Sequence, residues 1–367
     1  MVFGMIGLLA FLATPVGAAE EQHPMPTPEL VAKRTPLQKA KYPAIDVHFH
    51  SGTWSEPTAM VEKMDAYGIA IIVNLSAGFG ERLKEAQGNA SSVKDRLVNF
   101  TRVDWEGINE PGWGDRASKT LAESFEAGAY GLKVSKRLGT RLKDADGNYI
   151  LPDHPRLKQI WETCARYGRP VLIHSSDPPA RWRPIGPANE RYDAGMWRQD
   201  TEGNYHGTDI PDYKVILNAQ ERLFAQNPKT TFIGAHVVSR GWHLEEVGRL
   251  FDTYPNVNAD ISARLQELGR QPYTAREFFL RYADRLLFGT DGNPRRDGDF
   301  FIPHWRFMET ADEYFDHPAQ MENELGAGLQ GRWKIHGLFL PDEVLKKVYY
   351  ENALRLIPRL SEIYSAR

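Results

Sequence analysis

The chain has 367 residues, and its 45 lysine and arginine residues nearly balance 48 aspartate and glutamate residues, for a formal net charge of -3. This balance excludes the basic excess that is typical of a nucleic-acid-binding protein. Hydrophobic and charged fractions of 41% and 25% are those of a globular protein with a large core. We expect one large domain, because α/β barrels reach this length as a single unit.

The N-terminal residues 1–19 (MVFGMIGLLAFLATPVGAA) form a short apolar stretch that ends in small residues. This pattern is typical of a secretory signal peptide, although no lysine or arginine precedes the apolar stretch. An uncleaved membrane anchor and a terminal helix are the alternatives. Prolines among polar residues over 20–42 indicate a linker, so the folded domain is predicted over 43–367. We therefore expect an exported protein, periplasmic or secreted, without a stable membrane span in the mature chain.

Short apolar runs rich in β-formers alternate with longer amphipathic stretches from residue 44 onwards. This is the pattern of repeated βα units and a parallel sheet. The eight predicted strands cover 44–47, 70–74, 98–103, 131–134, 170–173, 230–234, 257–261 and 285–288. Helices are predicted between them, including 156–167, 212–226 and 273–282, and a last helix covers 341–363. The predicted fold is an α/β, (β/α)₈ TIM barrel.

Two predicted connections are unusually long, 135–151 after the fourth strand and 175–211 after the fifth. In a barrel both lie at the C-terminal face of the strands. Long insertions in a compact domain are commonly lids or binding loops, so we expect substrate contacts there.

The end of the first strand carries His48 and His50, in the run IDVHFH. Because side chains alternate along a strand, both imidazoles point to the same side, where they can share one metal ion. Three further candidate residues follow other predicted strands: His174, His236 and Asp291. Barrel active sites lie at this face of the strands, so these residues are expected to converge although they are distant in sequence. Any one of them alone would more often be structural.

The runs IDVHFH (45–50), VLIH (171–174), FIGAH (232–236) and LLFGTD (286–291) resemble the amidohydrolase superfamily over roughly residues 42–358. The similar branch is the amidohydrolase-related one, which includes aminocarboxymuconate-semialdehyde decarboxylase and sugar lactonases. The resemblance implies one divalent metal, usually Zn²⁺, held by His48, His50, His174 and Asp291. It implies an acid/base role for His236 beside the metal. The segment after Asp291 departs from the frequent aspartate–aromatic–proline form, which leaves that wall of the pocket undefined.

Lys133 lies on the predicted fourth strand, where some amidohydrolases carry a carboxylated lysine that bridges two metals. A second ion is implied only if Lys133 is carboxylated. Alternatively, Lys133 binds an anionic substrate group or pairs with a carboxylate. Lys136, Arg191 and Arg264 are further candidates for binding a substrate carboxylate, with ion pairs that hold loops as the structural alternative for the two arginines.

We expect a metal-dependent hydrolase that uses metal-activated water on a lactone, ester or amide carbonyl of a small, carboxylated or sugar-derived substrate. In this hypothesis Asp291 also shuttles the proton, while His236 and the metal stabilise the oxyanion. A metal-dependent, non-oxidative decarboxylase is the alternative, and a non-catalytic barrel that binds a ligand is a third. The sequence leaves the substrate and the formation of a homo-oligomer open.

Overall fold

The computed structural model describes residues 29–186, 188–191, 204–296, 298–317 and 333–364. The chain divides into a short unit, Met1–Ala32, and a compact unit, Lys33–Arg367. In the short unit only 29–32 are described, and they have no regular secondary structure. The predicted signal peptide, 1–19, lies outside the described residues. Residues 33–42 of the predicted linker belong to the compact unit, where Thr35 donates two 2.7 Å hydrogen bonds to the Asp312 carboxylate.

Within the described ranges, nine short strands run in parallel and carry buried side chains at nearly every position. They are β1 (Ala44–Phe49), β2 (Ile69–Asn74), β3 (Leu97–Asn99), β4 (Thr101–Arg102), β5 (Leu132–Val134), β6 (Val171–Ile173), β7 (Phe232–Gly234), β8 (Val257–Asp260) and β9 (Leu286–Leu287). The pairing orders are β1-β2-β3 and β4-β5-β6-β7-β8-β9. Such uniform burial is expected of a parallel sheet that is covered on both faces.

The two runs of strands join into a barrel of eight strand positions. At one junction Phe100 separates β3 from β4, and its amide donates to Asn74 O (2.9 Å) while the next amide donates to Gly131 O (2.9 Å). At the other junction the Val47 amide donates to Phe288 O (3.1 Å). The predicted (β/α)₈ barrel is confirmed, and the predicted third strand, 98–103, is two short strands that pair with different neighbours.

Helices return the chain between the strands. They are α1 (Pro57–Tyr67), α2 (Gly80–Asn89), α3 (Trp113–Glu126), α4 (Lys158–Arg166), α5 (Tyr213–Gln226), α6 (Leu244–Thr253), α7 (Leu265–Leu268), α8 (Pro272–Arg281), α9 (Ile302–Glu309), α10 (Asp342–Lys346), α11 (Asn352–Leu356) and α12 (Leu360–Tyr364). In α3 the buried residues Trp113, Ala117, Leu121 and Phe125 follow a spacing of four and form one apolar face. Among the described helices, none has the length and apolarity to cross a membrane.

The predicted last helix, 341–363, is interrupted in the structure. A π-helical turn, Lys347–Glu351, connects α10 to α11, and the helical path stops before α12. Pro358 lacks the amide that would continue the ladder, and Arg359 has a positive φ of 70°. A small antiparallel pair, β10 (Phe315–Asp316) and β11 (Lys334–Ile335), lies outside the barrel and was not predicted.

Candidate metal centre

Strand β1 delivers two histidines to the C-terminal end of the barrel. The His48 ring is fully buried, and its Nδ1 lies 2.9 Å from Asp260 Oδ2. His50 lies one residue beyond the strand, and its Nδ1 lies 2.6 Å from Ser76 Oγ. Each ring is therefore held through Nδ1, and each Nε2 is left to face the barrel mouth.

Asp291 follows β9, and it lies next to these two histidines because the barrel closes between β9 and β1. Its amide donates to His48 O (2.8 Å), and its backbone takes a left-handed conformation with φ 60°. Its Oδ1 lies 3.4 Å from His48 Nε2 and 3.2 Å from His50 Nε2. Ligand atoms of the three residues lie within 4.8 Å of one another. Two imidazole nitrogens and one carboxylate oxygen are a donor set that fits a first-row divalent cation.

The protonation states at this cluster also suit a cation. Burial lowers the pKa of His50 to about 4, so its imidazole is neutral at pH 7. Burial raises the pKa of Asp291, but its interactions with the neighbouring His48 and His50 rings outweigh this and hold that pKa well below its usual value. A neutral imidazole beside an ionised carboxylate is the state that metal binding requires.

His174 follows β6 and is the one predicted metal ligand that is not among these three residues. Its ring packs edge-on against that of His236 at a centroid distance of 4.4 Å, and its Nε2 lies 3.7 Å from Asp177 Oδ1. That Nε2 is buried and has no hydrogen-bond partner among the described residues. Burial lowers the pKa of His174 to about 4. A neutral, buried imidazole nitrogen has the chemistry of a metal ligand, but His174 does not belong to the group of three whose ligand atoms lie within 4.8 Å of one another.

His236 lies in a backbone segment of unusual conformation. His236, Val237, Val238 and Ser239 all have positive φ angles, between 55° and 59°, so the chain makes one left-handed helical turn after β7. Each such residue costs about 1–2 kcal/mol relative to the right-handed form. The turn directs His236 Nε2 to within 3.9 Å of Asp291 Oδ2. Burial lowers the pKa of His236 well below its usual value.

The end of β8 supplies two residues that the sequence analysis did not select. Asp260 is fully buried and contacts His48, while the Ser262 carbonyl oxygen lies 2.8 Å from His236 Nδ1. A signal was present, because Asp260 lies near the end of the predicted strand 257–261 and Ser262 directly follows it, at the face where the selected histidines also lie.

Lys133 lies within β5 and Lys136 lies two residues beyond it, in different surroundings. Lys133 is buried, and its Nζ lies 3.2 Å from His48 Nε2. Burial lowers the pKa of Lys133 to about 8. Lys136 donates instead to Asp177 Oδ2 (2.5 Å), which also accepts from the Tyr205 hydroxyl (2.6 Å). Lys133 therefore belongs to the metal cluster, and Lys136 to a neighbouring network between the two long loops.

Arg191 and Arg264 are brought together by one acidic partner. Arg191 donates to Glu267 Oε1, and Arg264 Nε lies 4.0 Å from the same oxygen. All three side chains are buried. Their geometry is that of a loop-holding ion-pair cluster beside the barrel mouth.

Comparison with known proteins agrees with this geometry. A sequence model described as amidohydrolase matches residues 40–359. The chain therefore belongs to the amidohydrolase superfamily, a superfamily of enzymes that use divalent metals, as the resemblance of its strand-end motifs implied. No curated protein matches the sequence significantly.

Solved structures with similar folds include two decarboxylases. One is 2,6-dihydroxybenzoate decarboxylase from Rhizobium, with a TM-score of 0.51, 17% identity, and coverage of 87% of this chain and 98% of that one. The other is a dihydroxybenzoic acid decarboxylase from Polaromonas sp. JS666 with bound manganese and the inhibitor 2-nitroresorcinol. Its TM-score is 0.52, with 16% identity and coverage of 86% of this chain and 96% of that one. At these identities the likeness establishes the shared barrel fold.

Proposed function

We propose that this protein is a metal-dependent hydrolase that adds water to a lactone, ester or amide carbonyl of a small, carboxylated substrate. The observation that carries this proposal is the hydrogen bond between His236 Nδ1 and the Ser262 carbonyl oxygen, at 2.8 Å. A carbonyl oxygen only accepts hydrogen bonds, so the proton of the neutral His236 ring resides on Nδ1. His236 Nε2 then carries a lone pair 3.9 Å from Asp291 Oδ2, where it can accept a proton from a water molecule at the candidate metal site.

A divalent cation, proposed to be Zn²⁺, supplies Lewis-acid activation of water and of the substrate carbonyl when it is bound by His48, His50 and Asp291. His174 is proposed as the fourth ligand. Within this arrangement His236 Nε2 accepts the proton of the attacking water and returns it to the leaving group. This nitrogen carries no proton before the reaction, so His236 is better suited to act as a base than to donate a hydrogen bond to an oxyanion. Asp291 then acts chiefly as a metal ligand, beside His50.

Lys133 is the proposed cation for the substrate carboxylate. Its ammonium group lies in the cluster and has no carboxylate partner within hydrogen-bond distance among the described contacts, whereas Lys136, Arg191 and Arg264 all face a carboxylate. A charge-assisted hydrogen bond from a buried lysine is worth about 1.5–3 kcal/mol. Carboxylated substrates are therefore preferred over neutral ones. We further propose that the protein acts after export, with residues 1–19 as the signal.

Non-oxidative decarboxylation is the second candidate function. It is favoured by the names of the two solved structures with similar folds, both of which are decarboxylases of hydroxylated benzoic acids. The same Lys133 and metal ligands would hold a substrate carboxylate in either reaction, so the two candidates differ in whether water is consumed.

The deciding experiment is a screen of the Zn²⁺-loaded enzyme across lactones, N-acyl compounds and aromatic carboxylates in ¹⁸O-labelled water, with simultaneous detection of carbon dioxide. Hydrolysis predicts one labelled oxygen in the product carboxylate and no carbon dioxide. Stoichiometric carbon dioxide without ¹⁸O incorporation would reject the hydrolase proposal in favour of the decarboxylase. The chelated enzyme provides the blank for both signals.

A further inference from the structure

Asp260 accepts four hydrogen bonds and is the centre of a network that connects His48 with His236. Its Oδ2 lies 2.9 Å from His48 Nδ1, and its Oδ1 accepts from the amides of His236 (3.0 Å) and Ser262 (3.0 Å). The same Oδ1 accepts from the Ser262 hydroxyl at 2.5 Å. All of these atoms are buried.

The hydroxyl proton of Ser262 is committed to Asp260, and this determines the remaining contacts. Ser262 Oγ lies 2.9 Å from His48 Nδ1 and 3.0 Å from His236 Nδ1. Because its one proton points to the carboxylate, Ser262 Oγ can only accept from both rings. His48 Nδ1 then faces two acceptors, Asp260 and Ser262 Oγ, and His236 Nδ1 also faces two, Ser262 Oγ and Ser262 O.

We infer that Asp260, acting with Ser262, is a positioning residue that fixes the Nδ1–H tautomer of both His48 and His236. Each ring then keeps a lone pair on Nε2. The lone pair of His48 is available to the metal, and that of His236 is available to accept a proton. The inference rests on the proposed metal site but not on the choice between hydrolysis and decarboxylation.

Asp260 also supports the backbone that carries His236. The His236 amide, at the start of the left-handed turn, donates to Asp260 Oδ1, so one carboxylate holds a candidate ligand on β1 and the candidate base after β7. Carboxylates that orient a ligating histidine typically contribute about 10–100-fold to metal affinity.

The first test is ¹⁵N NMR of the wild-type protein, labelled on its histidines, chelated and held at pH 7.5. Comparison with His48→Gln and His236→Gln variants assigns the two side chains among the 11 histidines of the chain. We expect protonated Nδ1 and unprotonated Nε2 in both. A protonated Nε2 in either residue would overturn the inference, without bearing on which reaction the enzyme catalyses.

The second test compares Asp260→Asn with Asp46→Asn. Asp46 is an equally buried carboxyl group on β1, but its hydrogen bonds within the described part of the chain come from the Thr290 hydroxyl (2.6 Å) and from backbone amides, and not from an imidazole. Asp260→Asn should lower Zn²⁺ affinity about 10–100-fold, measured by competition with a chromophoric chelator, and should mix the His48 tautomers. Asp46→Asn should preserve both tautomers.

Unchanged tautomers and Zn²⁺ affinity in Asp260→Asn would overturn the inference, as would an equal loss in Asp46→Asn. If Asp260→Asn does not fold, Ser262→Ala replaces it, since that variant removes only one hydroxyl. Its His236 should keep Nδ1–H through the backbone carbonyl, and its Zn²⁺ affinity should fall. An unchanged affinity in Ser262→Ala would count against the network.

Discussion

Ser239 ends the left-handed turn that carries His236, and it offers a direct measure of the strain at this site. Its φ is 58°, its side chain is buried, and its Oγ accepts a hydrogen bond from the Ser176 amide at 3.3 Å. Substitution by glycine or alanine removes the same hydrogen bond, so in the folded state the two variants differ in the cost of a Cβ atom at positive φ. That cost is about 1–2 kcal/mol.

Glycine also makes the unfolded chain more flexible than alanine does, which opposes the gain by about 0.4–1 kcal/mol. The central values, about 1.5 and about 0.7 kcal/mol, predict that Ser239→Gly is more stable than Ser239→Ala by about 0.8 kcal/mol. Urea unfolding at pH 7 measures the difference between the two variants.

The matched control is Ser118, in the middle of helix α3, where the backbone is right-handed. There Ser118→Ala should be more stable than Ser118→Gly by about 1 kcal/mol, the usual order in a helix. If alanine were also the more stable replacement at Ser239, the left-handed turn would not store strain and this reasoning would be refuted.

Three further predictions concern acid stability, the buried ion pairs and the proposed base. Burial lowers the pKa of His304 to about 3 from an ordinary 6.5, so stability is fully present above pH 6.5 and is lost as pH falls toward 3. Between pH 6.5 and 4.5 the unfolding free energy of the wild type should fall by about 2–3 kcal/mol more than that of His304→Gln. Urea unfolding at several pH values measures both, and an equal pH dependence of the two proteins would contradict the prediction. Glu267→Gln leaves Arg191 and Arg264 buried without their carboxylate and should cost about 3–5 kcal/mol. Glu190→Gln, which breaks a more exposed pair with Arg270, should cost less than about 1 kcal/mol, and similar losses in the two variants would be the contrary result. His236→Asn should abolish turnover while the metal content stays near the wild-type value, and loss of the metal would instead identify His236 as a ligand.

Much of the barrel and the centre of the site could be predicted from sequence because two local rules suffice for them. Apolar runs separated by amphipathic stretches identified the strand positions, and the strand-end rule brought His48, His50 and Asp291 to one face although Asp291 lies more than two hundred residues away. The division of the third strand at Phe100 could not be predicted, because it depends on which strand each backbone amide donates to and not on local propensity.

The electrostatic partners could not be predicted. Glu267 lies 76 residues from Arg191, and nothing in either segment indicates that they meet. Asp260 has the same residue type and strand-end position as a metal ligand, and only its distances to His48 and Ser262 identify it as a hydrogen-bond acceptor. The left-handed turn at 236–239 was likewise hidden, since the two valines within it disfavour that conformation.

The central claim is that His48, His50 and Asp291 bind one catalytic metal ion, and metal analysis of purified protein tests it most directly. After chelation and reconstitution with Zn²⁺, the wild type should hold about one ion per chain. His50→Gln should lose most of this metal, while His206→Gln, at an exposed histidine outside the cluster, should retain it. Substrate turnover by wild-type protein that holds no stoichiometric metal, or equal metal content in the two variants, would contradict the account.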